Sequence, residues 1–134
     1  MASKSQLETF LASARIGVVG ASSNRSKFGN KVLRCYLENN RQVVPVHPKE
    51  TEIEGLACVA SVADLPDEVK SISIITPPQI TEQVVEQAAA KGIQNIWMQP
   101  GAESPAAISF CQERGINLIA DGTCVLVVLG FSGH

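Results

Sequence analysis

Apolar and polar positions along this chain fall into two alternating rhythms. Short runs rich in apolar and β-branched residues recur at positions 16–19, 43–46, 71–76, 93–98 and 116–120. Between them, apolar residues return three and four places apart: Val32, Leu33, Tyr36 and Leu37 within 28–39, then Ile80, Val84, Val85, Ala88 and Ala89 within 79–91. The first rhythm suits strands covered on both faces, and the second suits amphipathic helices. Leu7, Phe10, Leu11 and Ala14 add a short helix at the front, and Ser5-Gln6-Leu7-Glu8 has the spacing of a capping box.

The punctuation agrees with this parsing. Asn39-Asn40 can end a helix in the left-handed conformation, and Gly92 stands where a helix ending at Lys91 needs its C′ residue. Ser104-Pro105 is an N-cap followed by proline at the first helical position, opening a helix to Arg114. His47-Pro48 and Pro77-Pro78 each stop a strand. Residues 50–65 are the least regular part, with one short helical turn expected at 61–65 before Pro66. Strands of about five residues alternating with helices of about twelve predict βαβ units with right-handed crossovers. The expected fold is α/β: a three-layer, doubly wound, Rossmann-type sheet of five mostly parallel strands, with residues 1–134 as one domain. Its ligand belongs beyond the carboxyl ends of the strands, where the strand order reverses.

Composition narrows the ligand. The net charge of −2 argues against a nucleic-acid partner. The longest apolar run, 125–129, is too short to span a bilayer and is expected to be extra core or a dimer contact. No secretory signal is read at the front, and the four cysteines lack any Cys-x-x-Cys spacing. These features predict a cytoplasmic protein with reduced thiols and no metal site. Within 21–49, however, six basic residues (Arg25, Lys27, Lys31, Arg34, Arg41, Lys49) face one acid, Glu38. That segment carries +5, so the remainder sums to −7, and the asymmetry points to a small anionic ligand.

The chemistry concentrates where strands end. Gly20, Ala21, Ser22, Arg25, Lys27, Phe28, Gly29 and Asn30 form a small-residue loop between the first strand and the next helix. Such a junction lets backbone approach a phosphate and offers unpaired amides backed by the helix dipole. The glycine spacing is not Gly-x-Gly-x-x-Gly. At the end of the second strand, where a free ribose 2′-hydroxyl normally meets an acid, stand His47, Pro48 and Lys49. A cation in place of a carboxylate disfavours NAD and admits NADP or coenzyme A. A Tyr-Lys pair for hydride transfer is not found, and Asp121 and Cys124 are not joined by a histidine into a nucleophilic set. No catalytic residue is predicted.

Taken together, Val18-Val19-Gly20-Ala21-Ser22, Lys27-Phe28-Gly29-Asn30, Val44-Pro45-Val46-His47-Pro48-Lys49, Ile53-Glu54-Gly55, Thr76-Pro77-Pro78, Trp97-Met98-Gln99-Pro100-Gly101-Ala102 and Asp121-Gly122-Thr123-Cys124 resemble the small stand-alone CoA-binding domain proteins. The same fold occurs in the α subunit of succinyl-CoA synthetase and in ADP-forming acyl-CoA synthetases. The resemblance implies coenzyme A or an acyl-CoA as ligand, with loop 20–30 around the pyrophosphate and the second-strand exit at the adenosine end. It further implies that Thr76, Pro77, Pro78, Gln99 and Gly101 line the pantetheine path. Where that family usually has Asn-Pro-Lys, this chain has His47-Pro48-Lys49. A carrier, sensor or subunit role follows, with a small NADP-dependent reductase and a protein-interaction module as the alternatives, and a homodimer as a further expectation.

Overall fold

The computed structural model describes residues 3–132. Its elements are α1 (Lys4–Leu11), β1 (Arg15–Val19), α2 (Phe28–Glu38), β2 (Gln42–Val46), the two-residue strands β3 (Glu52–Ile53) and β4 (Leu56–Ala57), β5 (Ser71–Ile74), α3 (Pro78–Lys91), β6 (Asn95–Met98), α4 (Pro105–Glu113) and β7 (Asn117–Ile119). A 3-10 turn at Val62–Asp64 precedes β5, and a π-helical turn at Leu126–Gly130 follows β7.

The main sheet runs β2-β1-β5-β6-β7, and every neighbouring pair is parallel. From β1 the chain steps outward to β2, crosses back to β5, and then proceeds outward the other way. The strand order therefore reverses between β1 and β5. Connections leaving those two strands go to opposite faces, which opens a crevice at their carboxyl ends.

Strand alternation sorts the side chains into two cores. Ile72, Ile74, Ile96 and Met98 turn towards Val84, Val85 and Ala88 of α3 and Ala107 and Cys111 of α4. Ile16, Val18 and Trp97 turn the other way, onto Phe10 of α1 and Val32, Leu33 and Tyr36 of α2. Phe10 meets Trp97 edge-on, with centroids 5.3 Å apart. Each such fully buried side chain contributes about 1.5–3 kcal/mol, whereas exposed pairs such as Lys4–Glu8 contribute about 1 kcal/mol at most. The two cores, rather than surface charge, hold the layers together.

Local signals mostly act where they were expected. Gly92 caps α3 at φ 86°, Asn40 turns at φ 62°, and the Ser104 side chain accepts the Ala107 amide at the start of α4. Four details differ. The capping box of α1 is Ser3 with Gln6, because the helix starts two residues earlier than Ser5 would set it. β5 stops at Ile74, two residues before Thr76, and β6 and β7 begin at Asn95 and Asn117 because the residues just before them complete the helix-to-strand turns. Part of the irregular stretch is a hairpin, β3–β4, turned through Glu54 at φ 50° and Gly55 at φ 80°. Finally, the apolar tail divides: Val125 is fully buried, while Val127 is 81% exposed.

Candidate functional site

Three strand exits meet at the carboxyl edge of the sheet, and the closest packing there is backbone on backbone. A Cβ at Gly20 would stand 2.8 Å from the Ile75 carbonyl oxygen, and Gly20 itself has φ 96°. A Cβ at Gly29 would stand 2.0 Å from the Gly20 carbonyl oxygen. Neither position has room for a side chain, so the first turn of α2 is pressed directly onto the end of β1. Close contact of this kind is what brings helix-terminal amides up to a bound anion. The N-cap position is held by Lys27, which makes no side-chain capping bond.

Loop 22–27 is shaped by its own polar groups. Asn24 donates its amide to Ser22 Oγ, and Asn24 Oδ1 accepts from the Ser26 amide and hydroxyl. Asn30, fully buried, donates through Nδ2 to the Ser22 carbonyl at 2.8 Å and to Glu54 Oε2 at 3.0 Å. Its Oδ1 accepts from Arg34 Nε at 2.6 Å. Asn30 is thus the inner staple of the loop.

Beside this loop lies a cavity of about 570 Å³. One wall is Val19, Gly20, Ala21, Ser22 and Lys27; a second is Val46, His47 and Pro48 at the exit of β2. Thr76 lies at the third exit, and Ile80, Gln83, Val84 and Gln87 of α3 complete the enclosure with Ala60, Ser61 and Val62. A mostly apolar slot with a few polar side chains in its walls matches the usual form of a small-molecule site.

His47 is a turn residue. Its Nδ1 accepts the amides of Lys49 at 3.0 Å and Glu50 at 2.9 Å, which assigns the ring proton to Nε2. An asparagine carbonyl would accept the same two amides, so histidine here preserves the turn that Asn-Pro-Lys would make. Two carboxylates then fold back onto loop 22–27. Glu50 Oε2 accepts the Ser23 amide at 3.2 Å, and Glu54 Oε2 lies 3.3 Å from Arg25 Nε. The local positive charge is therefore smaller than the segment 21–49 suggests, because the acids that offset it begin at the very next residue.

A CoA binding domain model matches residues 14–130. The chain belongs to the CoA-binding domain family. A curated relative, the α subunit of an ADP-forming acetate–CoA ligase II from Pyrococcus furiosus, is 30% identical over 91 residues, covering 67% of this chain and 20% of that protein. Among solved structures, a conserved hypothetical protein from P. furiosus shares 39% identity with a TM-score of 0.81, covering 85% of this chain and 97% of that one. A dinucleotide-forming acetyl-coenzyme A synthetase 1 of Ca. Korarchaeum cryptofilum shares 26% identity with a TM-score of 0.72, covering 81% of this chain and 26% of that one. The chain spans only about a tenth to a fifth of the length of the curated relatives it matches (11% and 20% for two of them).

Within this CoA-binding domain the cavity gathers Gly20, Ala21, Ser22, Lys27, His47, Pro48 and Thr76. The other residues singled out from the sequence lie beside it or elsewhere. Gly29 and Asn30 sit behind the loop, and half-buried Phe28 packs into the core with Phe10 and Val32. Pro77 and Pro78 begin α3, Lys49 is exposed, and Arg25 is drawn to Glu54. Gln99 departs furthest from a lining role. It is fully buried, and its Oε1 accepts the Val125 amide at 3.0 Å, so it ties down the segment after β7. Gly101 lies in the adjoining turn, its amide donating to Glu103. Gln99 and Gly101 are absent from the cavity wall.

The sequence reading missed Ile80, Gln83 and Gln87. Ile80 falls on the apolar stripe of α3 by its spacing, yet it is 43% exposed and faces the cavity. Its neighbour Thr81 is buried instead, hydrogen-bonded to Thr76 Oγ1 at 2.8 Å. The spacing of Ile80, Gln83 and Gln87 along one helical face was the available signal. Burial pushes the thiols of Cys35 and Cys111 up to about 11, which keeps both protonated and inert at neutral pH. Among the described residues no group of three or more His, Cys, Asp or Glu could hold a metal, and no helix is long and apolar enough to cross a membrane.

Proposed function

We propose that this domain binds coenzyme A, or an acyl-CoA, with the diphosphate over loop 20–30 and the adenosine end in the cavity between the exit of β2 and α3. It acts in the cytoplasm as a carrier, sensor or subunit, without catalytic machinery of its own. The observation that carries this reading is the side-chain-free contact of Gly29 on Gly20, opening directly onto a cavity of about 570 Å³ with Lys27 at its edge. The likeness to the α subunit of an acetate–CoA ligase supports the subunit role. The residues that shape the cavity also fit the ligand's two ends: small backbone and a cation for phosphate, an apolar slot with two glutamines for a flat, polar-edged base.

Isothermal titration with CoA, NAD and NADP tests the reading. The expected order is CoA tightest, with NADP weaker and NAD weakest. NADP binding more tightly than CoA would overturn it in favour of the reductase alternative.

A further inference from the structure

The loop assigned to the diphosphate already has an anion on it, supplied by the chain itself. Glu50 Oε2 accepts the Ser23 amide at 3.2 Å and lies 3.5 Å from His47 Nε2. Glu50 reaches this position because His47 Nδ1 gathers the amides of Lys49 and Glu50 and turns the chain back towards the loop. Hydrogen bonds from Ser23, the side chain first and the backbone after it, outweigh partial burial and, with His47 alongside, hold this carboxyl below the ordinary carboxylate range. At neutral pH it is a full negative charge.

An amide donor within a phosphate-binding loop can serve one anion at a time, and two anions at contact distance repel. A diphosphate settling on loop 20–30 must therefore displace Glu50 or forgo the Ser23 amide. We infer that Glu50 is a built-in competitor for the ligand's diphosphate, setting the affinity of the loop and the threshold an anion must exceed to occupy it. A monovalent anion gains too little to move a hydrogen-bonded carboxylate, whereas a diphosphate brings more charge and several acceptors. The competitor thus favours diphosphate esters over the small carboxylates and inorganic anions of the same solution. This inference rests on the reading of loop 20–30 as the diphosphate site.

Its test is isothermal titration of CoA, and separately of adenosine, into the wild type, Glu50→Gln, Glu50→Ala and Glu52→Gln. Glu52 is an exposed acid two residues away and removes the same charge without touching Ser23. Thermal unfolding confirms that each variant is folded. Both Glu50 variants are expected to bind CoA more tightly, by about fivefold for Glu50→Ala and less for Glu50→Gln, which keeps an acceptor. Adenosine affinity should stay the same in all four proteins, and Glu52→Gln should match the wild type. Equal or weaker CoA binding by the Glu50 variants, with a wild type that binds, overturns the competitor and leaves the CoA reading standing. An equal gain in Glu52→Gln also overturns it, since general charge would then explain the effect. CoA binding by neither wild type nor variants removes the reading and the competitor together.

Discussion

Helices α2 and α4 both begin at the carboxyl edge of the same sheet, yet their first turns are finished in opposite ways. At α4 the cap is internal and complete. Buried Ser104 accepts the Ala107 amide at 3.1 Å and donates to Glu82 at 2.9 Å, and Pro105 occupies the next position. At α2 the cap position is an exposed lysine with no capping bond, and the helix is held by glycine contact and by Asn30 behind it. A helix that only has to begin is closed by a hydroxyl. The start of α2 is held from behind, and its front stays free of cap side chains, as the proposed ligand role requires. This difference supports the assignment of loop 20–30 to phosphate.

The sharpest way to break the comparison is Gly29→Ala. The added methyl group would lie 2.0 Å from the Gly20 carbonyl oxygen. The backbone must shift, at a cost of about 1–3 kcal/mol by urea denaturation, and CoA binding should be lost with it. Unchanged stability would mean that α2 is not pressed onto β1 as described. Next come two substitutions with mirrored effects. Lys27→Glu should weaken CoA binding at least about tenfold, or about 1.4 kcal/mol, and leave stability alone. Ser104→Ala should remove about 1 kcal/mol of stability and leave CoA affinity alone. If either substitution moved the other quantity, the division of labour between the two helix starts would be wrong.

The smallest effect is acidic. The Glu50 carboxyl is depressed below its ordinary value of 4.5. Its bond to Ser23 therefore contributes fully above that value and is lost as pH falls through the lower, folded-state one. In an NMR titration the Ser23 amide should move with a midpoint below 4.5, while the Ala107 amide, bonded to a hydroxyl, should not follow it. A Ser23 midpoint at or above the ordinary value would remove the bond from the account.

What could be read from residues alone was whatever neighbours in sequence decide. Gly92, Ser104-Pro105 and the five apolar runs act over a few positions, and the architecture follows from their order. Residues 50–65 resisted for the converse reason. The hairpin β3–β4 has two-residue strands, too short to show alternation, and turns through a glutamate at positive φ where glycine or asparagine is the usual signal. Glu50 and Glu54 reach the loop across 27 and 29 residues, to Ser23 and Arg25, and no local pattern announces such contacts. Gln99 sits in a loop-like Gln-Pro-Gly, yet its side chain is enclosed by the segment after β7, which only the packed chain brings there. The spacing predicts a helix over 79–91 and α3 spans Pro78–Lys91, but Ile80 lines the cavity rather than the core.

Trp97 is the chain's single tryptophan, and its indole Nε1 donates to the Thr123 carbonyl at 2.9 Å while its ring stacks edge-on against Phe10. The protein consequently carries an unlabelled optical gauge. Ultraviolet emission from this one indole registers whether the segment after β7 and the first helix are both seated, because Thr123 accepts its N–H and Phe10 packs against its ring.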